Sequence, residues 1–416
     1  MNNYTCSIEI PMTKSVTSSY SIYCDKEVIR EWIGYYMRIV CWTAGFMIFA
    51  KLQNNYSRVK LIRSGLVLLA LIAILFFFSF ALAIFLAIFI LCNFLAAGIS
   101  LTIFLYTIEI TSENLRPISI SLYFMAAAAG QVILSILCAI YCNWRIIGLF
   151  YMSPLMLILV IYMRVMVDGP RFLIVKKGFQ EAKKSLEYLA LMNDREIPKE
   201  NEYKFEDEVK CQEMQGNFAK LLHYENQDLF MRPNNHSFLC LFRYNSLRVR
   251  SFIFLYFFEV FFMGSVLCYY IYPEYSPNIY LNHLILGFIK MVGFLLGGYL
   301  ILNFQRKVIL KNLLFIAGIS DILLIIAAFT QTFGIELIIL NLIAQIVFDA
   351  GFPLLIFFIS EVYPTVVRHY ALGFFMSYGS LIVLITKPVF DSFELFGFPA
   401  SVILGILFLV GIGVMN

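Results

Sequence analysis

Apolar stretches of about twenty residues recur along this 416-residue chain, near 32–50, 60–79, 83–108, 117–141, 145–166, 250–272, 281–303, 309–331, 334–360, 366–391 and 397–415. As a helix, each is long enough to cross roughly 30 Å of hydrocarbon. A backbone in that medium must satisfy its own hydrogen bonds. The pattern therefore predicts an all-α membrane protein with about 11 transmembrane helices. Composition agrees: 61% of the residues are hydrophobic and 14% charged, unlike an ordinary soluble domain. Two divisions between spans are thin. The run 61–108 is almost unbroken, and its length alone demands a turn around Ser79; likewise 309–360 needs one near Gln331–Gly334.

Charge orients these spans. Lys51, Arg58, Lys60 and Arg63 fall in the first connection, Arg116 in the third, fifteen basic residues between Arg164 and Arg250, then Arg306, Lys307, Lys311 and Arg368. The alternate connections, Ser79–Leu82, Cys142–Trp144, Pro273–Tyr280 and Asp391–Phe396, contribute no Lys or Arg. Basic residues accumulate on the cytosolic side of membrane proteins. The alternation thus predicts cytosolic basic loops, a cytosolic carboxy terminus and an external amino terminus.

A Glu and an Arg seven positions apart occur twice at span ends, as Glu109 and Arg116 and again as Glu361 and Arg368. Such a repeat implies two related helix bundles. The chain then divides into an external polar segment (1–31), a bundle of five spans (32–167), a cytosolic loop with amphipathic helices (168–249) and a bundle of six spans (250–416). Within the loop, Gln180–Met192 places Ala182, Leu186 and Leu189 on one helical face, with Lys183, Lys184 and Glu187 elsewhere.

Other chemistries find no support. A net charge of +4 is too small to point to nucleic acid. The nine cysteines lack metal-ligand spacing, and most sit in apolar runs (Cys41, Cys92, Cys138, Cys268) as small hydrophobes. Cys6 and Cys24 lie in the polar segment, which leaves a disulfide open. Asn3-Tyr4-Thr5 fits the N-glycosylation acceptor pattern. No nucleophile–base pair, phosphate-binding glycine loop or metal cluster is legible, so neither an enzyme nor a bound cofactor is expected. Ionisable groups inside spans, by contrast, are functional suspects because each costs about 2.5–3.5 kcal/mol to insert. They are Arg38, Glu259, Lys290, Asp321, Asp349 and Lys387.

Several short motifs now align with one family. Cys24-Asp25-Lys26 resembles its Cys-Asp before the second span. Asn143-Trp144-Arg145, Pro154 and Asp168-Gly169-Pro170-Arg171-Phe172-Leu173 resemble its D-W-R, P and E-S-P-R-W-L elements around the sixth, with Glu181-Ala182 following. Leu241-Phe242-Arg243, Leu247-Arg248 and Asn278-Ile279-Tyr280-Leu281 flank the seventh span in the same way, and Glu361-Val362-Tyr363-Pro364-Thr365-Val366-Val367-Arg368 is the closest match. The chain resembles the organic cation and anion transporters of the major facilitator superfamily. Sugar porters share the P-E-S-P-R and E-x-x-P-x-x-x-R elements, but their Q-Q-x-S-G signature is absent here.

The resemblance implies a two-bundle fold that opens alternately to each side of the membrane. It implies a cytosolic gate built from Arg58, Glu109, Arg116, Asp168, Arg171, Arg306, Glu361 and Arg368, and a central cavity lined by Gln131 and Tyr256. It also implies twelve spans, of which the first is missing here, so that a partner helix in its place is expected. The cytosolic G-x-x-x-D-R-x-G-R-R signature is reduced to Ala50–Val59, without its Asp. Counting back from Arg306, Lys290 falls where the family carries an acid in the eighth span. The acid of the cation transporters' eleventh span aligns with Leu381, and Lys387 lies six residues on. With positive rather than negative charge in the cavity, Coulomb's law favours an anion. The expected function is secondary transport of small organic ions, more anionic or zwitterionic than cationic, at the plasma membrane. Substrate is expected near Gln131, Tyr256, Lys290 and Lys387. A non-transporting, transporter-like scaffold or subunit and a truncated twelve-span transporter are the alternatives. Ala126–Gly130 reads as a small-residue stretch for close helix packing.

Overall fold

The computed structural model describes residues 15–22, 27–112, 114–141, 143–170, 172–173, 179–195, 237–243, 245–270, 278–329 and 335–395. Regular structure among them is helical throughout. A short helix α1 (Val16–Ser19) precedes α2, which is continuous from Glu27–Glu31 through a π-helical turn at Trp32–Tyr36 to Met37–Leu52. Then come α3 (Arg58–Phe77), α4 (Leu82–Ile110) and α5 (Arg116–Ile140). Next is α6, made of Trp144–Ile146, a second π turn Ile147–Met152 and Ser153–Tyr162. After α7 (Phe179–Met192) and α8 (Cys240–Arg243) follow α9 (Asn245–Tyr270), α10 (Ile279–Asn303), α11 (Arg306–Phe329), α12 (Ile335–Val362) and α13 (Thr365–Leu395).

Eight of the described helices are long and apolar enough to cross a membrane. The turn anticipated around Ser79 falls between α3 and α4; the one near Gln331–Gly334 lies outside the described residues. The predicted span 397–415 lies outside the described residues. Helix starts are set by local chemistry. Ser57, Asn143 and Asn278 accept hydrogen bonds from the amides of Lys60, Arg145 and Tyr280 and so cap α3, α6 and α10. Pro117 stands in the first turn of α5, where its missing N–H does no harm.

Helices α2–α6 pack together, and α9–α13 form a second group. Phenylalanines fill glycine notches: Phe348 of α12 lies against Gly264 of α9, and Phe261 of α9 against Gly351 of α12. Lipid offers no hydrophobic drive between helices, so close packing of this kind carries their association.

Two antiparallel seams join the groups. Along α5, the stripe Pro117, Ser121, Phe124, Ala128, Val132 and Ser135 is buried. It meets α10, where a Cβ added at Gly287 would come within 2.5 Å of Val132 and one at Gly298 within 2.3 Å of Ser121. The second seam sets α2 against α13. Gly373 lies on Ala50 and Phe46, and the Tyr35 hydroxyl donates to the Val383 carbonyl.

The two seams are not equally filled from end to end. The main core cluster includes Phe46, Ala50, Leu101, Leu105 and Ile120 from the first group with Leu354, Phe357, Val367, Ala371 and Phe375 from the second. These positions lie in the halves of the helices next to the basic connections. Helix α7 forms as expected, but its most deeply buried face runs through Ala182 and Ser185. Ser185 Oγ donates to the Asp168 carbonyl at 2.8 Å. The small-residue stretch of α5 packs differently from expectation. Ala128 is buried, whereas Ala126, Ala127 and Gly130 are exposed, and a Cβ at Gly130 would meet nothing within 4 Å.

Candidate functional site

At the basic end, the repeated carboxylates each find an arginine from the preceding helix. Arg58, at the start of α3, pairs with Glu109 near the end of α4 at 2.9 Å. Arg306, at the start of α11, pairs with Glu361 near the end of α12 at 2.8 Å. The two pairs occupy corresponding places in the two bundles, and each guanidinium also covers a phenyl ring, Phe172 at 5.0 Å and Phe357 at 5.3 Å. Their settings differ. Arg58 and Glu109 are 8% and 13% exposed, against 41% and 36% for Arg306 and Glu361.

The other candidates at this end surround these pairs. Arg116 donates from Nε to the Ile108 carbonyl at 3.3 Å, tying the start of α5 to the end of α4. Arg368 is buried in the first turn of α13. The Asp168–Gly169 turn lies beside Glu109, since a Cβ at Gly169 would stand 3.2 Å from Glu109 Oε2. Arg171 lies outside the described residues.

Midway along the first seam, Lys290 of α10 reaches across the bundles. Its Nζ donates to Gln131 Oε1 of α5 at 3.2 Å, and Gln131 Nε2 donates to the His283 carbonyl at 3.3 Å. Helical spacing explains the aim. Gly287, Lys290, Phe294 and Gly298 recur at three- and four-residue intervals and so share the face turned to α5. Phe294 lies tilted against Phe124 of α5 at 5.5 Å, and Phe124 meets Phe352 of α12 at 5.2 Å. Phe352 in turn contacts Phe262 of α9 at 5.3 Å. Aromatic rings thus connect the Lys290 seam to α9, where Tyr256 is half-buried beside Phe257. One turn along α9, Glu259 accepts a hydrogen bond from Tyr378 of α13 at 3.4 Å. Lys387 lies within α13, its side chain outside the described residues.

Three residues that the sequence shows only as parts of motifs become anchors in the structure. Tyr363 is fully buried at the α12–α13 turn and shares a 2.7 Å hydrogen bond with Ser251, whose hydroxyl donates to the Leu241 carbonyl. Burial pushes the Tyr363 phenol up to about 12, so it stays neutral at physiological pH. At the opposite end, Arg145 donates to the Ser79 carbonyl at 3.0 Å, which also accepts from the Tyr20 hydroxyl at 2.6 Å. The Trp144 indole donates to Ser19. These motif residues therefore work as structural anchors at the span ends.

Two bundles of membrane-spanning helices, joined along two seams with paired charges at one end and polar side chains at mid-depth, define a multi-pass membrane transporter fold. The chain belongs to the major facilitator superfamily, whose model matches residues 36–387. Among its relatives, the carcinine transporter of Drosophila melanogaster is 24% identical over 65% of this chain and 38% of that protein. Organic anion transporter 3 of Mus musculus is 23% identical over 95% of this chain and 71% of its own length. The chain thus spans well under half of the Drosophila relative. Among solved structures, the proton:xylose symporter XylE bound to 6-bromo-6-deoxy-D-glucose superimposes with a TM-score of 0.70 at 15% identity, covering 93% of this chain and 85% of the symporter. That likeness shows the fold. The sequence relatives agree with the resemblance to organic-ion transporters, and the chain is an integral, multi-pass membrane protein of this superfamily.

Proposed function

We propose that the chain moves small organic ions, anionic or zwitterionic in preference to cationic, across the plasma membrane by alternating access. The observation that carries this reading is the Lys290–Gln131 contact. It sets a positive charge on the seam between two bundles, where a ligand held near the midplane would touch both. The aromatic rings beside it offer an apolar surface for the organic part of the substrate, and Glu259 offers a place for an ammonium group in a zwitterion. The names of the relatives, a carcinine transporter and an organic anion transporter, support this substrate range.

In this reading the Arg58–Glu109 and Arg306–Glu361 pairs each brace the cytosolic end of one bundle in the shape that packs against the other. With the basic halves of the bundles packed together, the site is turned away from the cytosol. Lys387, at the far end of α13, joins Lys290 in favouring anions.

A further apolar helix fits against α5 in the same reading. The repeat equates α5 with α13, and α13 packs on α9. The face of α5 carrying Ala126, Ala127 and Gly130 is exposed instead.

The test is uptake into proteoliposomes of labelled benzoate, β-alanine and tetraethylammonium. Benzoate or β-alanine should enter severalfold faster than tetraethylammonium, and Lys290→Glu should reverse that order. Equal rates for all three before and after the substitution would overturn the proposal.

A further inference from the structure

One face of α3 changes character along its length. Lys60, Arg63, Ser64, Val67, Leu68 and Leu71 recur at three- and four-residue intervals and so share one side of the helix. The first turns of that side are cationic and polar, and the rest is aliphatic, with Val67, Leu68 and Leu71 exposed. Helix α6 packs beside α3 and shows the same change in the opposite chain direction. Leu157 and Ile161 are exposed, and Arg164 follows just past the end of the helix.

Two adjoining clefts open between these helices at the basic end. One, of about 590 Å³, is lined by Arg63, Ser64, Val67, Leu68, Val160 and Arg164. The other, of about 540 Å³, shares Arg63 and Ser64 and adds Ser57, Lys60 and Asp168. Arg63 is fixed in the wall between them. Its Nε and Nη2 donate to the Met163 carbonyl at 2.9 and 2.6 Å, and Nη2 also donates to the Met166 carbonyl at 3.0 Å. Nη1 carries two further N–H groups, which have no partner among the described residues. The Lys60 ammonium lies over the Tyr56 ring at 5.4 Å. Among the described residues, neither it nor the exposed Arg164 guanidinium has an ion-pair partner. The lining thus holds three cations against one carboxylate, Asp168, whose Oδ1 is enclosed.

We propose that this α3–α6 cleft binds an anionic phospholipid from the leaflet at the basic end, with its phosphate on Arg63, Lys60 and Arg164 and an acyl chain along Val67, Leu68 and Val160. A guanidinium held in place presents a planar fork to phosphate oxygens, and Lys60 adds a point charge on a flexible stem. A free anion needs only the cationic turns. The continuation of the same cleft onto exposed aliphatic residues selects a ligand with a tail. Basic recesses between spanning helices recognise acidic headgroups by this combination. Arg63 also caps the last carbonyls of α6. A bound headgroup therefore fastens α6 to α3 immediately before the Asp168–Gly169 turn, which lies beside Glu109.

The experiment is native mass spectrometry of the purified, delipidated full chain, with dioleoyl phosphatidylglycerol, dioleoyl phosphatidylcholine and inorganic phosphate as probes. The wild type should retain phosphatidylglycerol severalfold better than phosphatidylcholine, and millimolar phosphate should not displace it. Lys60→Gln with Arg164→Gln, both at exposed positions, should erase the preference. A charge-matched pair on α11, Lys307→Gln with Lys311→Gln, should keep it. Val67→Trp fills the aliphatic part of the cleft, leaves every charge in place and should weaken phosphatidylglycerol retention severalfold. Equal retention of the two lipids by the wild type, an unchanged preference in the Lys60 and Arg164 variant, its loss in the α11 pair, or full retention by Val67→Trp would overturn the site. Displacement by inorganic phosphate would overturn the assignment of a lipid in favour of a free anion.

Discussion

At the level of single residues, two ion pairs of identical composition differ because of what surrounds them. Arg58 and Glu109 are enclosed, while Arg306 and Glu361 remain more than a third exposed. Removing one partner of an enclosed pair strands a charge, at about 3–5 kcal/mol. A solvated pair is worth about 0–1 kcal/mol. Glu109→Gln should therefore lower thermal stability in detergent far more than Glu361→Gln, and equal losses would show that enclosure does not set the strength. The sequence placed both carboxylates correctly at span ends but could not rank them. That ranking follows from Phe172 and the Asp168–Gly169 turn, which approach Glu109 and Arg58 from beyond α6.

Helix α10 is shared between the two bundles. One face, through Gly287 and Gly298, lies on α5 of the other bundle, and another, through Gly293 and Gly297, lies on α12 of its own. Both approaches depend on missing side chains. Adding a methyl at Gly287 should overpack the seam at about 1–3 kcal/mol. Gly130→Ala on α5, which meets nothing within 4 Å, should be neutral or stabilising by up to about 1 kcal/mol, since alanine favours helix. Thermal unfolding of the two variants, together with uptake, checks this; a destabilised Gly130→Ala would mean that face is covered. From sequence, glycines 287 to 298 and the Ala126–Gly130 stretch look alike. Only the partner helix decides which small residues are contacts.

For the molecule as a whole, the buried cluster joining the bundles occupies their basic halves. Rotation of one bundle against the other must therefore break that packing, while the two ion pairs, each inside one bundle, turn with it. A cysteine at Ala50, fully buried against Gly373, reports the event. In a background with the nine native cysteines replaced by serine, a membrane-impermeant thiol reagent on the basic side should label Ala50→Cys slowly. Adding Glu109→Gln and Glu361→Gln together, which loosens the basic end of each bundle, should accelerate labelling severalfold. An unchanged rate would show that the pairs do not support the packing between the bundles.

The sequence alone determined the class of this protein. Apolar runs of spanning length leave helices as the only way to satisfy the backbone in lipid, and the repeated Glu–Arg spacing points to two bundles. These properties are local or periodic, so they are written along the chain. Tertiary structure alone decided which side chains meet. It joined Lys290 to Gln131 from helices 159 residues apart, turned Asp349 toward a glycine face, and made Tyr363 and Arg145 anchors. Each of these depends on the rotation of one helix against another, a quantity set by packing and not by the pattern of a single span.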